Sequence, residues 1–242
     1  VFGSETSLAG DVIYTPNGGE TTLRFSYGEG FKVPSLFQQF SDFGNTLLEP
    51  ETSASWDAGF SQFLLDRTIE LAATVYQRDS ENLIDFISCP VQTGICTNRP
   101  FGTYDNVGRA RARGVEIGVN LRPVEQLVIA TNYTFVDAEN RDSGLKLARR
   151  PRHSINASVD YEWEFGLETG ITVTHVSSSF DNAFNSTEVP GYVLTSLRAS
   201  MPITDKIELY GRVENLFDEE YETIFQFGTA GRSAFAGIRL KI

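Results

Sequence analysis

Apolar and polar residues alternate along most of this chain with a period of two. Between Ser154 and Trp163, the residues Ile155, Ala157, Val159, Tyr161 and Trp163 share one parity, and Ser154, Asn156, Ser158, Asp160 and Glu162 share the other. Successive side chains of an extended backbone point to opposite faces, so this spacing predicts a strand with one apolar and one polar side. The pattern recurs with Leu23, Phe25 and Tyr27 against Arg24, Ser26 and Gly28, and with Val115, Ile117, Val119 and Leu121 against Glu116, Gly118 and Asn120. At the C-terminus Ala234, Ala236, Ile238, Leu240 and Ile242 fall on one face, and Phe235, Gly237, Arg239 and Lys241 on the other. Segments of this kind bounded by turn signals number about eleven, each roughly nine to fourteen residues long. The pattern predicts an all-β chain.

The connections sort by length. Residues 15–19, 65–67, 122–125, the few after Trp163, and 202–206 read as short turns; residues 32–50, 85–103, 137–150, 180–190 and 215–232 read as long loops. Strict alternation of short and long places all the short turns at one end of an antiparallel meander, which is the pattern of an up-and-down transmembrane β-barrel. A soluble sandwich alternates too, but its strands are shorter, about five to six residues, and its loops do not sort by end. Tyr27, Trp56, Tyr133, Tyr161 and Trp163 fall toward strand ends, where interfacial aromatic girdles sit. An antiparallel meander closes only with an even number of strands, and open edges in hydrocarbon would strand backbone polar groups. Eleven is half of the twenty-two strands of large plugged transporters, so the reading is one half of such a barrel.

Composition sharpens this. The net charge of -12 argues against nucleic acid as a partner, because phosphate binding needs a basic field. The longest apolar run, Leu127 to Ala130, is too short for a membrane helix or a signal-peptide core. The first residues carry neither a charged leader nor an initiator Met, so the chain is expected to be a mature form or a piece of something longer. Cys89 and Cys96, with Pro90 and Gly94 between them, are expected to form a disulfide worth roughly 2 to 3 kcal/mol by loop entropy, in an oxidising compartment. His153 and His175 have no nucleophile in a recognisable motif, and no catalytic or metal site is expected. Asp218, Glu219 and Glu220 lack the glycine and spacing of a calcium loop and read as a solvated acidic loop. Arg109, Arg111 and Arg113, with Arg149, Arg150 and Arg152, crowd one end of the strands. If they point outward they would face lipid A phosphates or form wall salt bridges; if inward, an anionic ligand.

Several stretches resemble the TonB-dependent outer-membrane receptors. They are Gly28-Glu29-Gly30-Phe31-Lys32-Val33-Pro34-Ser35-Leu36-Phe37, Gly44-Asn45, Leu48-Glu49-Pro50-Glu51-Thr52-Ser53 and Trp56-Asp57-Ala58-Gly59, followed by Gly114-Val115-Glu116, Pro151-Arg152-His153, and Glu214-Asn215-Leu216-Phe217-Asp218 with Tyr221. They come in the family's order and cover essentially the whole chain. Thr229-Ala230-Gly231-Arg232, following Tyr221-Glu222-Thr223, is most similar to the vitamin B12 (cobalamin) subgroup. The chain departs from the family in ending at Ile242, where an aromatic residue is usual. The resemblance implies the C-terminal portion of the barrel across residues 1–242, in the outer membrane of a Gram-negative bacterium. The implied cargo is a scarce metal chelate, cobalamin or a ferric siderophore, imported with energy from the TonB complex, without a cofactor. The N-terminal plug, the other barrel half and the TonB box would lie elsewhere.

Two groups of residues become candidates on this reading. Phe40, Phe43, Tyr104, Phe184, Phe225 and Phe227 are placed in loops, where they could grip a ligand or pack on one another. Arg24, Asp57, Glu70, Glu116, Arg198, Arg212, Glu214 and Arg239 form an inward row expected to line the lumen and meet the plug. Two other readings stay open: a passive porin-like channel, and a soluble β-rich binding protein or adhesin.

Overall fold

The computed structural model describes residues 4–87, 89, 91–106 and 108–240. Eleven strands form one antiparallel sheet in which every strand pairs with its neighbours in sequence. They are β1 (Ala9–Tyr14), β2 (Thr21–Lys32), β3 (Glu51–Leu64), β4 (Ile69–Glu81), β5 (Ala110–Val124), β6 (Leu127–Asn140), β7 (His153–Glu162), β8 (Glu168–Val176), β9 (Tyr192–Thr204), β10 (Ile207–Glu214) and β11 (Ser233–Leu240). The order is linear, and β1 and β11 are the edges of the sheet. Lys241 and Ile242, the far end of the last expected strand, lie outside the described residues.

Register carries the apolar parity across the whole sheet. Phe25 stands opposite Ala58, Ala58 opposite Val75, Val75 opposite Val115, and Val115 opposite Phe135. On the other flank Val159, Ile171, Leu197, Val213 and Ala234 follow one another in the same way. The opposite face is polar: Arg24, Gly59, Thr74, Glu116, Thr134 and Ser154 form one such row. A slip of one residue in any strand would turn its apolar set onto the polar face, so the two-sided pattern itself specifies the pairing.

The apolar face is not covered. Phe25, Phe60, Val75, Ile117, Leu209 and Ile238 are all exposed, and the few buried apolar residues, Leu48, Cys89, Ala110, Ala138 and Val189, lie at or beyond the strand ends. The accessible surface is 15857 Å², whereas a compact protein of 26.8 kDa would present roughly 10,800 Å². A single-layer sheet exposing that much contiguous apolar surface is a surface for something else to cover. No helix among the described residues is long and apolar enough to cross a membrane. The sheet therefore offers the two-faced wall of a transmembrane barrel, with lipid outside and a polar lumen inside.

Strand bounds differ from the sequence reading where proline is involved. β5 continues through Arg122 and Pro123 to Val124, with a register shift between Leu121 and Val124, and β9 continues past Pro202, with a shift between Pro202 and Thr204. A proline lacks the N–H that a ladder needs, and an irregularity is where a strand tolerates one. Trp163 falls just beyond β7; its amide donates to the Leu167 carbonyl (2.8 Å) and its indole to the Thr169 hydroxyl (3.0 Å). Its ring packs edge-on against Tyr161, forming an aromatic cluster at the short-turn end.

Placing arginine at Ile117, mid-strand on the apolar face, is expected to destabilise the whole protein in a bilayer by about 2 to 4 kcal/mol. Its neighbour Glu116, changed to Gln on the polar face, should cost less than about 0.5 kcal/mol. Denaturant titration of folding into lipid vesicles separates the two, and equal costs would mean that the apolar face does not meet lipid.

Candidate functional site

At the end opposite the short turns, the five long connections fold against one another. The first begins with the short helix α1 (Leu36–Phe40), capped by reciprocal hydrogen bonds between Ser35 and Gln38. It then turns at Gly44, where a Cβ would sit 2.4 Å from the Gln39 carbonyl oxygen, so no other residue fits without a shift of backbone. The second loop carries its own hairpin, Ile84–Ile87 with Thr103–Asn106, and the Cys89–Cys96 disulfide closes the segment between. The fourth contains a minimal hairpin, Ser179–Phe180 with Glu188–Val189.

Asparagine and aspartate side chains join these loops. The Asn45 amide donates to the Tyr104 carbonyl (3.1 Å), while the Tyr104 N–H and the fully buried Thr103 hydroxyl both donate to the Phe43 carbonyl. Asn106 accepts from the Glu49 N–H (2.8 Å) and donates to the Glu49 and Asn82 carbonyls. Asn185 makes the same two-way clamp on the backbone of Lys146. Asp181 accepts from the Arg149 guanidinium (3.1 Å) and the Phe225 N–H (3.2 Å), bringing three loops to one carboxylate. Asp142 accepts from the Arg109 guanidinium and backbone N–H, which hold its carboxyl below the ordinary value of 3.8. The Lys146 ammonium is raised above 10.5, chiefly by its hydrogen bond to Asp137. Both groups are charged at neutral pH, so the loop between β6 and β7 stays clasped there.

The six loop aromatics separate into two sets. Tyr104 and Phe43 pack with Phe86 and Phe37 in edge-on contacts, with centroids 5.5 to 6.2 Å apart. Phe40, Phe184, Phe225 and Phe227 remain exposed. Phe225 lines a cavity of about 750 Å³ whose other walls include Glu188, Tyr221, Glu222 and Thr229. Phe86 lies outside the aromatic set expected from the sequence, because the run Ile84-Asp85-Phe86-Ile87 breaks its alternation at Ile87. The asparagine clamps were equally missed; Gly44-Asn45 and Asn215-Leu216-Phe217-Asp218 were noted only as motif stretches. Asn215 holds its own loop, accepting from the Glu219 N–H and donating to its carbonyl.

The inward row falls on the polar face by register. Arg198 pairs with Asp160 and donates to the Thr172 hydroxyl (2.6 Å), Arg239 pairs with Glu208 (2.5 Å), and Arg212 with Glu214 (3.1 Å). Arg24 reaches Thr74 (2.7 Å), and Glu70 accepts from Asn120 (3.1 Å). Asp57 and Glu116 stand on the same face, opposite Ser26 and Thr134. The arrangement is a charged, hydrogen-bonding wall. Among the described residues, no group of three or more His, Cys, Asp or Glu side chains could hold a metal ion.

Asn106→Ala removes two hydrogen bonds that join the first two loops and one within the second, and should loosen them locally by about 1 to 3 kcal/mol. Hydrogen exchange on the whole protein should show faster exchange at residues 43–50 and 82–106, with β2 to β4 unchanged. Protection unaltered in both loops would mean that the clamp is dispensable.

The known proteins agree with this architecture. The ferric enterobactin receptor PfeA of Pseudomonas aeruginosa, in a complex with enterobactin, superposes with a TM-score of 0.81 at 18% identity, covering 97% of this chain and 40% of that one. FpvA of P. aeruginosa, bound to a ferric pyoverdine, matches at TM-score 0.76 and 20% identity, covering 96% and 32%. The copper transporter OprC matches at 0.78 and 16%, covering 95% and 39%. The chain thus spans between about a third and two fifths of the length of these structures. At such identities the likeness speaks for the fold. The family model described as TonB dependent receptor-like, beta-barrel matches residues 2–216, and with the two-faced sheet and long-loop end already in view, the chain belongs to that family.

Proposed function

We propose that this chain forms the C-terminal part of the barrel wall of an outer-membrane receptor that imports a scarce metal chelate with energy from the TonB complex. The family match over residues 2–216 carries this reading. The chelate is a ferric siderophore in the first instance, since FpvA and PfeA are named for such ligands, with cobalamin the alternative. The segment that suggested cobalamin has structural work of its own. Thr229 donates to the Tyr221 carbonyl (2.6 Å), and the Arg232 N–H donates to Asp218 (2.7 Å), so Thr229 and Arg232 hold the last loop together and say little about cargo.

On this reading the exposed rings of Phe40, Phe184, Phe225 and Phe227 meet the ligand, and Phe43 and Tyr104 support them. The inward row meets a plug supplied by the rest of the receptor. The ion pairs of Arg198, Arg239 and Arg212 compensate those three arginines, so a plug meeting them there would not bury a lone guanidinium.

The experiment is uptake of labelled ferric siderophores and cobalamin by cells whose only receptor is the whole protein, with and without TonB. TonB-dependent uptake of one chelate supports the reading; TonB-independent leakage of small solutes would instead mark a passive channel. Once a ligand is found, Phe40→Ala or Phe184→Ala should weaken its binding about tenfold. An unchanged Kd for both would remove the exposed rings from the site.

A further inference from the structure

One part of the wall is used neither by the lumen nor by the mouth. On the outward face, Val75, Val115, Phe135 and His153 stand in register as the last largely apolar row before the long loops. The next outward row is polar, with Gln77 opposite Arg113 and Arg113 opposite Asp137. Alternation alone does not say whether these arginines point inward or outward; register puts Arg113 on the outward face, directly beyond the apolar belt.

Charge is concentrated there. Arg113 (3.3 Å), Lys146 (2.5 Å) and Arg152 (3.8 Å) all converge on the carboxylate of Asp137. Lys146 also reaches Glu139 (3.2 Å), so three cations share two carboxylates in a chain whose net charge is -12. The Asp137 side chain is only 10% exposed, whereas those of Arg113 and Arg152 are 56% and 53% exposed. The carboxylate therefore anchors the cations from within while their guanidinium groups face outward. The rings below set the height. His153 packs on Phe135 and accepts or donates a hydrogen bond with the Tyr133 hydroxyl (2.9 Å), and the Arg152 guanidinium lies over Phe135.

Aromatic rings of this kind sit at the boundary between hydrocarbon and headgroups, and the long-loop end of such a barrel is the external one. Guanidinium forks at that level match phosphate oxygens in charge and geometry. We propose that Arg113 and Arg152, positioned by Asp137, form a binding site for the phosphate of a lipid headgroup in the outer leaflet.

The test uses the whole receptor, passed from detergent into nanodiscs of phosphatidylcholine that contain either a bis-phosphorylated glycolipid or the same glycolipid without its phosphates. Native mass spectrometry then reads the lipid retained. The receptor should retain the phosphorylated form roughly tenfold better, and R113Q/R152Q should lose most of that preference. Equal retention of the two lipids, or an unchanged preference in the variant, overturns the proposal. So does inorganic phosphate, at the lipid's concentration, displacing the lipid, which would make the patch a site for free anions. If R113Q/R152Q does not fold, as judged by heat-modifiable mobility, Glu139→Gln decides. Removing that carboxylate raises the local positive charge and should raise retention of the phosphorylated lipid, and no rise overturns the proposal.

Discussion

The constraint on which this structure depends is that a backbone in hydrocarbon has no water to bond. Each N–H and C=O left unpaired there costs several kcal/mol, so the wall must be a continuous ladder. The register from β1 to β11 supplies one, neighbour to neighbour, without a crossover. Everything else follows from keeping that ladder intact. Side chains alternate because the pleat alternates them, and the two prolines near strand ends sit where the register shifts. The large exposed apolar surface is the consequence of having lipid in place of a second packed layer.

Beyond the ladder, stability has to come from another source. The long loops have little apolar core, with Leu48, Cys89 and Val189 among the few buried apolar residues. Short polar side chains take over: Asn45, Asn106, Asn185 and Asn215 each satisfy backbone groups that no strand partner reaches. An asparagine can donate and accept at once, which suits it to stitching irregular backbone. The mouth is thereby held together by directional bonds and small aromatic contacts, Phe37, Phe43, Phe86 and Tyr104 on one side and Tyr192 with Tyr221 on the other, leaving the rings of Phe40, Phe184 and Phe227 uncovered.

The charge distribution follows the same division of environments. Arginines on the polar face find partners within the wall, Arg198 with Asp160, Arg239 with Glu208 and Arg24 with the Thr74 hydroxyl. Those on the outward face appear only past the apolar belt, where Arg111 meets Asp79 and Arg113 meets Asp137. A cation lower on that face would have to be buried in hydrocarbon, and the middle rows hold Leu71, Val119 and Ala157 instead. The position of charge along a strand therefore marks the height of the membrane boundary.

Strand number, the identity of the two faces and the order of short and long connections were legible in the sequence, because each is set by residues one or two positions apart. The eight charges expected to face inward share the polar face by the same local rule. Register was implied once both faces had to match their neighbours. What the sequence alone left open were contacts between segments distant in the chain. Phe43 and Phe40 look alike in sequence, yet one packs against Phe86 and the other stays exposed. Asp181 and Asp137 read as ordinary loop and strand-end acids until the fold brings arginines from other segments to them. Periodicity encodes which way a side chain points, since that depends only on the backbone beside it; which partner it meets depends on how the ladder aligns segments tens of residues apart, and only the tertiary structure decides that.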